Sequence, residues 1–248
     1  MGNKLVLSIS GGMDSVVLLH MAVDRGFKEI HLISFDYGQR HKRELKCVAE
    51  QIEAVKAKAS DLVVTHYIAD VGFIKALAPT SSLTNEDIDN PVISEMAGDA
   101  QPVSYVPFRN QLFNTIGCAY AESKGADTVW YGAAEVDSLA GYWDGSDVFV
   151  NAMNALIALN RENRIKIEAP LLTMSKKAIV EEGVRLGVDF SKTWTCYSNR
   201  KDGLADANTP SSSLRVKGFI DARYQDPIQY VQQDKLNELY LSKGCKKL

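Results

Sequence analysis

Residues 4–19 read KLVLSISGGMDSVVLL, and the parsing of that stretch decides the fold. Lys4 to Ser8 is an apolar run of strand length, and from Met13 to Asp24 apolar residues recur at helical spacing (Val16, Val17, Leu19, Val23) until Arg25-Gly26 stops them. Two adjacent glycines, Gly11 and Gly12, lie between. At a strand-to-helix junction such glycines let backbone N–H groups approach an anion, and the helix N-terminus adds its dipole. The usual nucleoside-triphosphate loop also needs a lysine after its glycines, but here Met13-Asp14-Ser15 follows. Ser10 and Ser15 offer hydroxyls. Asp14 would repel a bare phosphate, and a bridging Mg²⁺ removes the conflict because hard oxygen ligands suit that ion. A turn with a helix cap in some other α/β protein fits the same six residues, so the surrounding chain has to decide.

Outward from this junction, strands and helices alternate. Ile30 to Phe35 reads as a second strand, Lys42 to Lys58 as a helix and Leu62 to Ile68 as a third strand. Residues 78–105 have the poorest pattern and are rich in Pro, Ser and Asn, which suggests an active-site loop. Helix is expected again over Asn110 to Lys124, Phe149 to Asn160 and Lys176 to Leu186, with strands over Thr128 to Gly132 and Ile165 to Ala169. Residues 198–213 are polar, and Asp226 to Lys243 reads as a terminal helix. The expectation is an α/β fold: a doubly wound, mainly parallel five-stranded sheet with helices on both faces and a small C-terminal helical extension. The division expected is a catalytic domain over 1–225 and a C-terminal helix over 226–248.

Bulk properties narrow the class. The chain has 248 residues, net charge -3 and 46% hydrophobic residues, enough for one substantial core and without the basic excess that marks a nucleic-acid backbone as partner. Cys47, Cys118, Cys196 and Cys245 form no C-x-x-C pair, and the N-terminus runs into an apolar strand rather than a leader, so a reduced, cytoplasmic protein is expected. No apolar stretch approaches the roughly 20 residues that span a bilayer.

Seven further segments occur in order: Phe35-Asp36-Tyr37-Gly38-Gln39-Arg40-His41; Ser81 to Thr84; Val106-Pro107-Phe108-Arg109-Asn110; Gly132 to Asp137; Gly141-Tyr142-Trp143-Asp144; Ala169-Pro170-Leu171 with Lys176; and Thr195-Cys196-Tyr197, with Leu214-Arg215 and Lys217-Gly218-Phe219 closing the series. With Ser10 to Ser15 they resemble the 7-cyano-7-deazaguanine synthase (QueC) family of PP-loop ATP pyrophosphatases, which share an adenine nucleotide alpha hydrolase-like fold. The resemblance implies cleavage of ATP between its α and β phosphates. The loop would then hold the leaving pyrophosphate, and a lysine for γ transfer is not needed there.

The resemblance implies conversion of 7-carboxy-7-deazaguanine to the nitrile (preQ0) with ATP, Mg²⁺ and ammonia, through an acyl-adenylate and an amide. ATP and pyrophosphate would be held by Ser8, Ser10, Gly11, Gly12, Met13, Asp14, Ser15, Phe35 and Gly132. Asp14, Ser15, Lys176 and Arg109 would carry catalysis, with Mg²⁺ on Asp14 and the ATP phosphates. Taken alone, Lys176 reads as a solvated lysine at a helix start and Arg109 as one lying over a loop. Substrate would meet Tyr37, Gln39, Arg40, His41, Arg109, Asn110, Glu135, Asp137, Tyr142 and Asp144. Carboxylates there suit the N–H edge of a guanine-like ring, although surface acids are common.

Two departures stand out. The family binds a structural zinc through the cysteine of its T-C-Y segment and three more in C-x-x-C-x-x-C; those three positions are Asp206, Thr209 and Ser212 here, leaving Cys196 as remnant in 196–219. Neutral hydroxyls are poor zinc ligands, so no structural zinc is expected. After Gly141-Tyr142 the family usually has P-D-C-R, whereas this chain has Trp143-Asp144-Gly145-Ser146. Three readings follow: an ordinary synthase; a divergent ligase that stops at the amide or joins the deazaguanine to an amine of a protein or nucleic acid; and a non-catalytic nucleotide-binding protein. The family is commonly dimeric, so a homodimer is compatible.

Overall fold

The computed structural model describes residues 3–37, 42–81, 105–134, 142–161, 165–196 and 202–248. Five strands form one all-parallel sheet in the order β3-β2-β1-β4-β5: β1 Lys4–Ser8, β2 Glu29–Asp36, β3 Val63–Asp70, β4 Thr128–Trp130 and β5 Lys166–Glu168. The helices are α1 Met13–Asp24, α2 Lys42–Lys58, the short α3 Ile74–Leu77, α4 Arg109–Lys124, α5 Asp147–Ile157, α6 Lys176–Arg185, α7 Pro210–Asp221 and α8 Gln233–Ser242.

Strand side chains alternate between faces, and β1 shows what that alternation buries. Leu5 and Leu7 share a core with residues of α1, α2 and α6, while Val6 faces the other way into a core with residues of α4 and α5. All three are fully buried. Each contributes about 1.5–3 kcal/mol relative to an exposed position. Helices thus cover both faces, as expected for strands that read as continuous apolar runs.

The strand order reverses its direction of growth between β1 and β4. Ligands of open α/β sheets bind at such a point, beyond the carboxyl ends of the strands. Gly11–Gly12 after β1, Tyr37 after β2, Gly132 after β4 and Lys176 after β5 therefore reach the same edge.

The C-terminal part departs from the sequence expectation. Residues 210–221 form α7, whose first four residues belong to the stretch read as polar; Thr209 is its N-cap and Pro210 occupies the first turn, where a missing N–H costs nothing. The last helix starts at Gln233 rather than Asp226. Pro227 disfavours helical backbone at Asp226, and the chain beyond it is extended: Ala205 donates to Gln229 O at 2.9 Å and Val231 donates to Ala205 O at 2.9 Å. A third core, with Trp194, Cys196, Val216, Tyr230, Leu236 and Tyr240, seals this part.

Candidate active site

The loop after β1 is held mostly by its own side chains. Gly12 N donates to Ser10 Oγ (3.2 Å), Ser10 N donates to Ser15 Oγ (3.2 Å), and the Ser15 hydroxyl donates to Gly12 O (3.1 Å). Gly11 has φ +88°, and a Cβ there would overlap the Glu44 carbonyl of α2; only glycine satisfies both demands. Gly12 is extended and caps α1 without a side-chain bond, so the first-turn amides of α1 keep the anion-binding character of a helix start. Gly132 lies across from it, its missing Cβ 3.8 Å from Ser15 N. The side chains of Met13 and Phe35 are packed beneath the loop's strand ends: Met13 is buried in the core, and Phe35 stacks on Phe113 at 3.9 Å.

Lys176 opens α6 and reaches back over the loop to Asp14, Nζ to Oδ2 2.6 Å, with both side chains mostly buried. The other Asp14 oxygen, Oδ1, is buried without a hydrogen-bond partner. An orphaned carboxylate oxygen beside a phosphate-type loop fits a Mg²⁺ ion, which takes one or two carboxylates and fills its other positions with phosphate oxygens and water. Lys176 is set by α7, since a Cβ on Gly218 would stand 2.9 Å from Lys176 Cβ and 3.1 Å from its carbonyl oxygen.

A second cluster faces the ends of β2 and β4. Arg109, first residue of α4, hydrogen-bonds the buried Tyr37 hydroxyl and stands beside Asp144. Burial pushes the Asp144 carboxyl above the usual carboxylate range, against the opposing pull of Arg109 and of Asn110, which donates to it from backbone and side chain. Asp144 Oδ1 is nonetheless buried and unpartnered. Tyr142 precedes the 3₁₀ turn Trp143–Gly145, and Ser146 caps α5 by accepting from Phe149 N at 3.2 Å. Gln39, Arg40, His41, Glu135 and Asp137, and residues 82–104 of the expected loop, lie outside the described residues.

Several contacts at the site carry no local signal in the sequence. The strap 193–196 lies along the loop: Trp194 N donates to Gly11 O (3.0 Å) and Met13 N donates to Thr195 Oγ1 (3.4 Å). Behind it, the buried Arg215 donates to Thr193 Oγ1 (2.7 Å), Thr195 Oγ1 (3.3 Å) and Phe190 O (3.2 Å), and grips Asp226 through Nε (2.7 Å) and Nη2 (3.0 Å). Tyr230 OH donates to the same carboxylate at 2.7 Å. Glu44 in α2 is buried, and desolvation raises its pKa to about 8. In the sequence the T-C-Y segment marks the strap and the L-R pair marks Arg215, but no spacing links Arg215 to Asp226.

Cys196, Asp206, Thr209 and Ser212, the positions at which no zinc is expected, converge as a hydrogen-bonded cluster. Asp206 N donates to Cys196 Sγ at 3.3 Å, and Thr209 Oγ1 donates to Ser212 Oγ at 2.8 Å. One oxygen of the Asp206 carboxylate, Oδ1, accepts from Gln232 (2.8 Å) and Asn208 N (2.9 Å). One thiol, two neutral hydroxyls and an engaged carboxylate do not fit zinc.

A glycine loop at the switch point, closed by an Asp14–Lys176 pair and facing an arginine–carboxylate cluster, is the frame against which relatives can be compared. The family described as "Queuosine biosynthesis protein QueC" matches residues 4–223. The chain belongs to the QueC family. Proteins named 7-cyano-7-deazaguanine synthase are similar along nearly their whole length: that of Stenotrophomonas maltophilia at 40% identity (92% of this chain, 99% of the relative), that of Clostridium kluyveri at 37% (92% and 97%), and that of Thermoplasma volcanium at 35% (100% and 98%). Among solved structures, NMN synthetase from Francisella tularensis is more distant, with 17% identity, TM-score 0.47, and coverage of 97% of this chain and 86% of the other. QueC membership accounts for the ordered motifs.

Proposed function

We propose that this QueC-family chain is an ATP-dependent carbon–nitrogen ligase that makes 7-cyano-7-deazaguanine from 7-carboxy-7-deazaguanine and ammonia. A carboxylate is a poor electrophile, so its oxygen first attacks the α phosphorus of ATP; pyrophosphate leaves and an acyl-adenylate forms. Ammonia then adds to the acyl carbon, AMP departs, and the amide results. A second ATP activates the amide oxygen, which leaves with AMP as the nitrile forms. No side-chain nucleophile is needed, and what the protein supplies is alignment and charge neutralisation.

Ser10, Gly11, Gly12 and Ser15, with the start of α1, are the proposed cradle for the departing pyrophosphate, flanked by Ser8 and Gly132. Mg²⁺ on Asp14 would neutralise phosphate charge, and Lys176 adds a fixed cation beside it. Arg109 orients the substrate carboxylate toward the α phosphorus. Asp144, Asn110, Tyr37 and Tyr142, with Gln39, Arg40, His41, Glu135 and Asp137 from the flanking segments, are the proposed surround of the deazaguanine. The enzyme is read as cytoplasmic and as working without zinc, for which the chemistry at Cys196, Asp206, Thr209 and Ser212 is the support.

The observation that carries this reading is the Asp14–Lys176 pair, closed at 2.6 Å over a glycine loop that lacks a γ-phosphate lysine. The test is mass spectrometry of the purified protein with Mg-ATP, 7-carboxy-7-deazaguanine and ammonium. Nitrile with two AMP per turnover is expected. AMP with amide alone, or with a deazaguanine joined to a protein or nucleic-acid amine, would assign the chain to a divergent ligase; no substrate-dependent AMP would refute adenylation.

A further inference from the structure

Phe108 is one of two described non-glycine residues with positive φ, at +54°. A bulky side chain rarely adopts the left-handed region, and such a residue persists where its surroundings over-determine it, most often at ligand sites. The Phe108 ring gains little burial in exchange, since it is 60% exposed. It stands edge-to-face against Trp143, centroids 5.7 Å apart at 71°. Trp143 is held from behind by two contacts, an edge-to-face packing on the buried Phe149 (5.4 Å) and a hydrogen bond from Nε1 to Tyr105 OH (3.1 Å). The same Tyr105 hydroxyl accepts from Phe108 N at 3.2 Å. One tyrosine thus fixes both rings.

These rings precede the two charged residues of the second cluster, Arg109 and Asp144. We propose that Phe108 and Trp143 form a wall on which the planar deazaguanine ring of the substrate rests, while the unpartnered Oδ1 of Asp144 accepts from a ring N–H. A flat heterocycle with N–H donors is the occupant that meets both features, an exposed aromatic face and a buried acceptor with nothing to accept from. Trp143 stands where the resemblance leads one to expect proline, so half of this wall is a feature of this chain. The inference rests on the proposed substrate and specifies how that substrate is held.

Phe108→Gly removes the ring and also the left-handed strain, so the wall predicts opposite movements of affinity and stability. The KM for 7-carboxy-7-deazaguanine should rise by roughly 5- to 150-fold, the range for losing one base–aromatic stack, with the KM for ATP unchanged and Tm equal to or above that of the wild type. Trp143→Phe should raise the same KM less than Trp143→Ala does. Trp130 and Trp194 are buried, so quenching of tryptophan fluorescence by the acid reports chiefly on Trp143 and should vanish in Trp143→Phe. A lower Tm with unchanged KM in Phe108→Gly would make the pair a packing feature. A shift in the KM for ATP alone would give the wall to adenine. Either result overturns the proposal, whereas substrate-independent AMP or none from the wild type refutes the underlying function, and quenching by guanine then tests the wall by itself.

Discussion

Replacing Arg215 by Met should separate stability from nucleotide affinity. The side chains of Arg215 and Asp226 are 1% and 0% exposed and share two hydrogen bonds. Removing one member of such a pair leaves an uncompensated buried charge, a loss of about 3–5 kcal/mol. At about 2–4 °C per kcal/mol for a chain of this size, Tm should fall on the order of 10 °C. Asp226→Asn should cost a similar amount, because the guanidinium then faces a neutral amide whose single oxygen can accept from Tyr230 OH or from Ile228 N but not replace both carboxylate oxygens. In the double variant no buried charge is left alone, so most of the stability should return, and the coupling in the cycle should be large and favourable. Affinity should not return with it. Arg215 also braces Thr195, which accepts from Met13 N at the start of α1, and an unbraced strap should leave the KM for ATP raised about 10- to 100-fold in both variants lacking Arg215. Urea unfolding and AMP release are the assays. Additive single costs would refute the ion-pair reasoning, and an ATP KM that recovers with stability would refute the brace.

Lys176→Met and Asp14→Asn should each lower AMP formation by about 10²–10³, the usual loss for a preorganised electrostatic contact, while Tm by differential scanning fluorimetry stays within a few degrees. Gly218→Ala should lower turnover without touching substrate, because its methyl would press on the backbone that carries Lys176; steady-state kinetics would show kcat falling more than substrate KM rises. Glu44 has a folded pKa raised to about 8 by burial, against 4.5 for the ordinary group. Its contribution is therefore full below pH 4.5 and is lost as pH rises toward 8, because the unfolded carboxyl ionises first. Glu44→Gln should remove that slope, leaving the variant more stable than the wild type at pH 8 in urea titrations, with no such gain at pH 5. EDTA should leave Tm unchanged in metal-free buffer, whereas Asp206→Cys, Thr209→Cys and Ser212→Cys together should create a Co²⁺ site with thiolate absorption.

What could be read from sequence alone was local. The β1–α1 junction combines an apolar run, two glycines and a 3.6-residue period, and its boundaries in the structure, Lys4–Ser8 and Met13–Asp24, are those the pattern predicts. Lys176 was reachable only through its spacing from Pro170, because its partner Asp14 is 162 residues away. Helix α7 was masked by a polar lead-in, although Thr209-Pro210 is a helix-start signal. The terminal helix was begun seven residues too early because apolar periodicity does not register that Asp226 is committed to Arg215. Nor does a motif convey strain: V-P-F-R-N says nothing of the left-handed backbone at Phe108.

Synthesis runs from the amino end, which gives the brace behind the glycine loop a consequence in time. Residues 10–15 are made well before the strap at 193–196, and Arg215, Asp226 and Tyr230 follow later still. A growing chain that has reached residue 225 has β1 and α1 in hand, yet the guanidinium behind the strap has no carboxylate to grip. A chain cut short at that point would carry the glycine loop without the brace that holds it still.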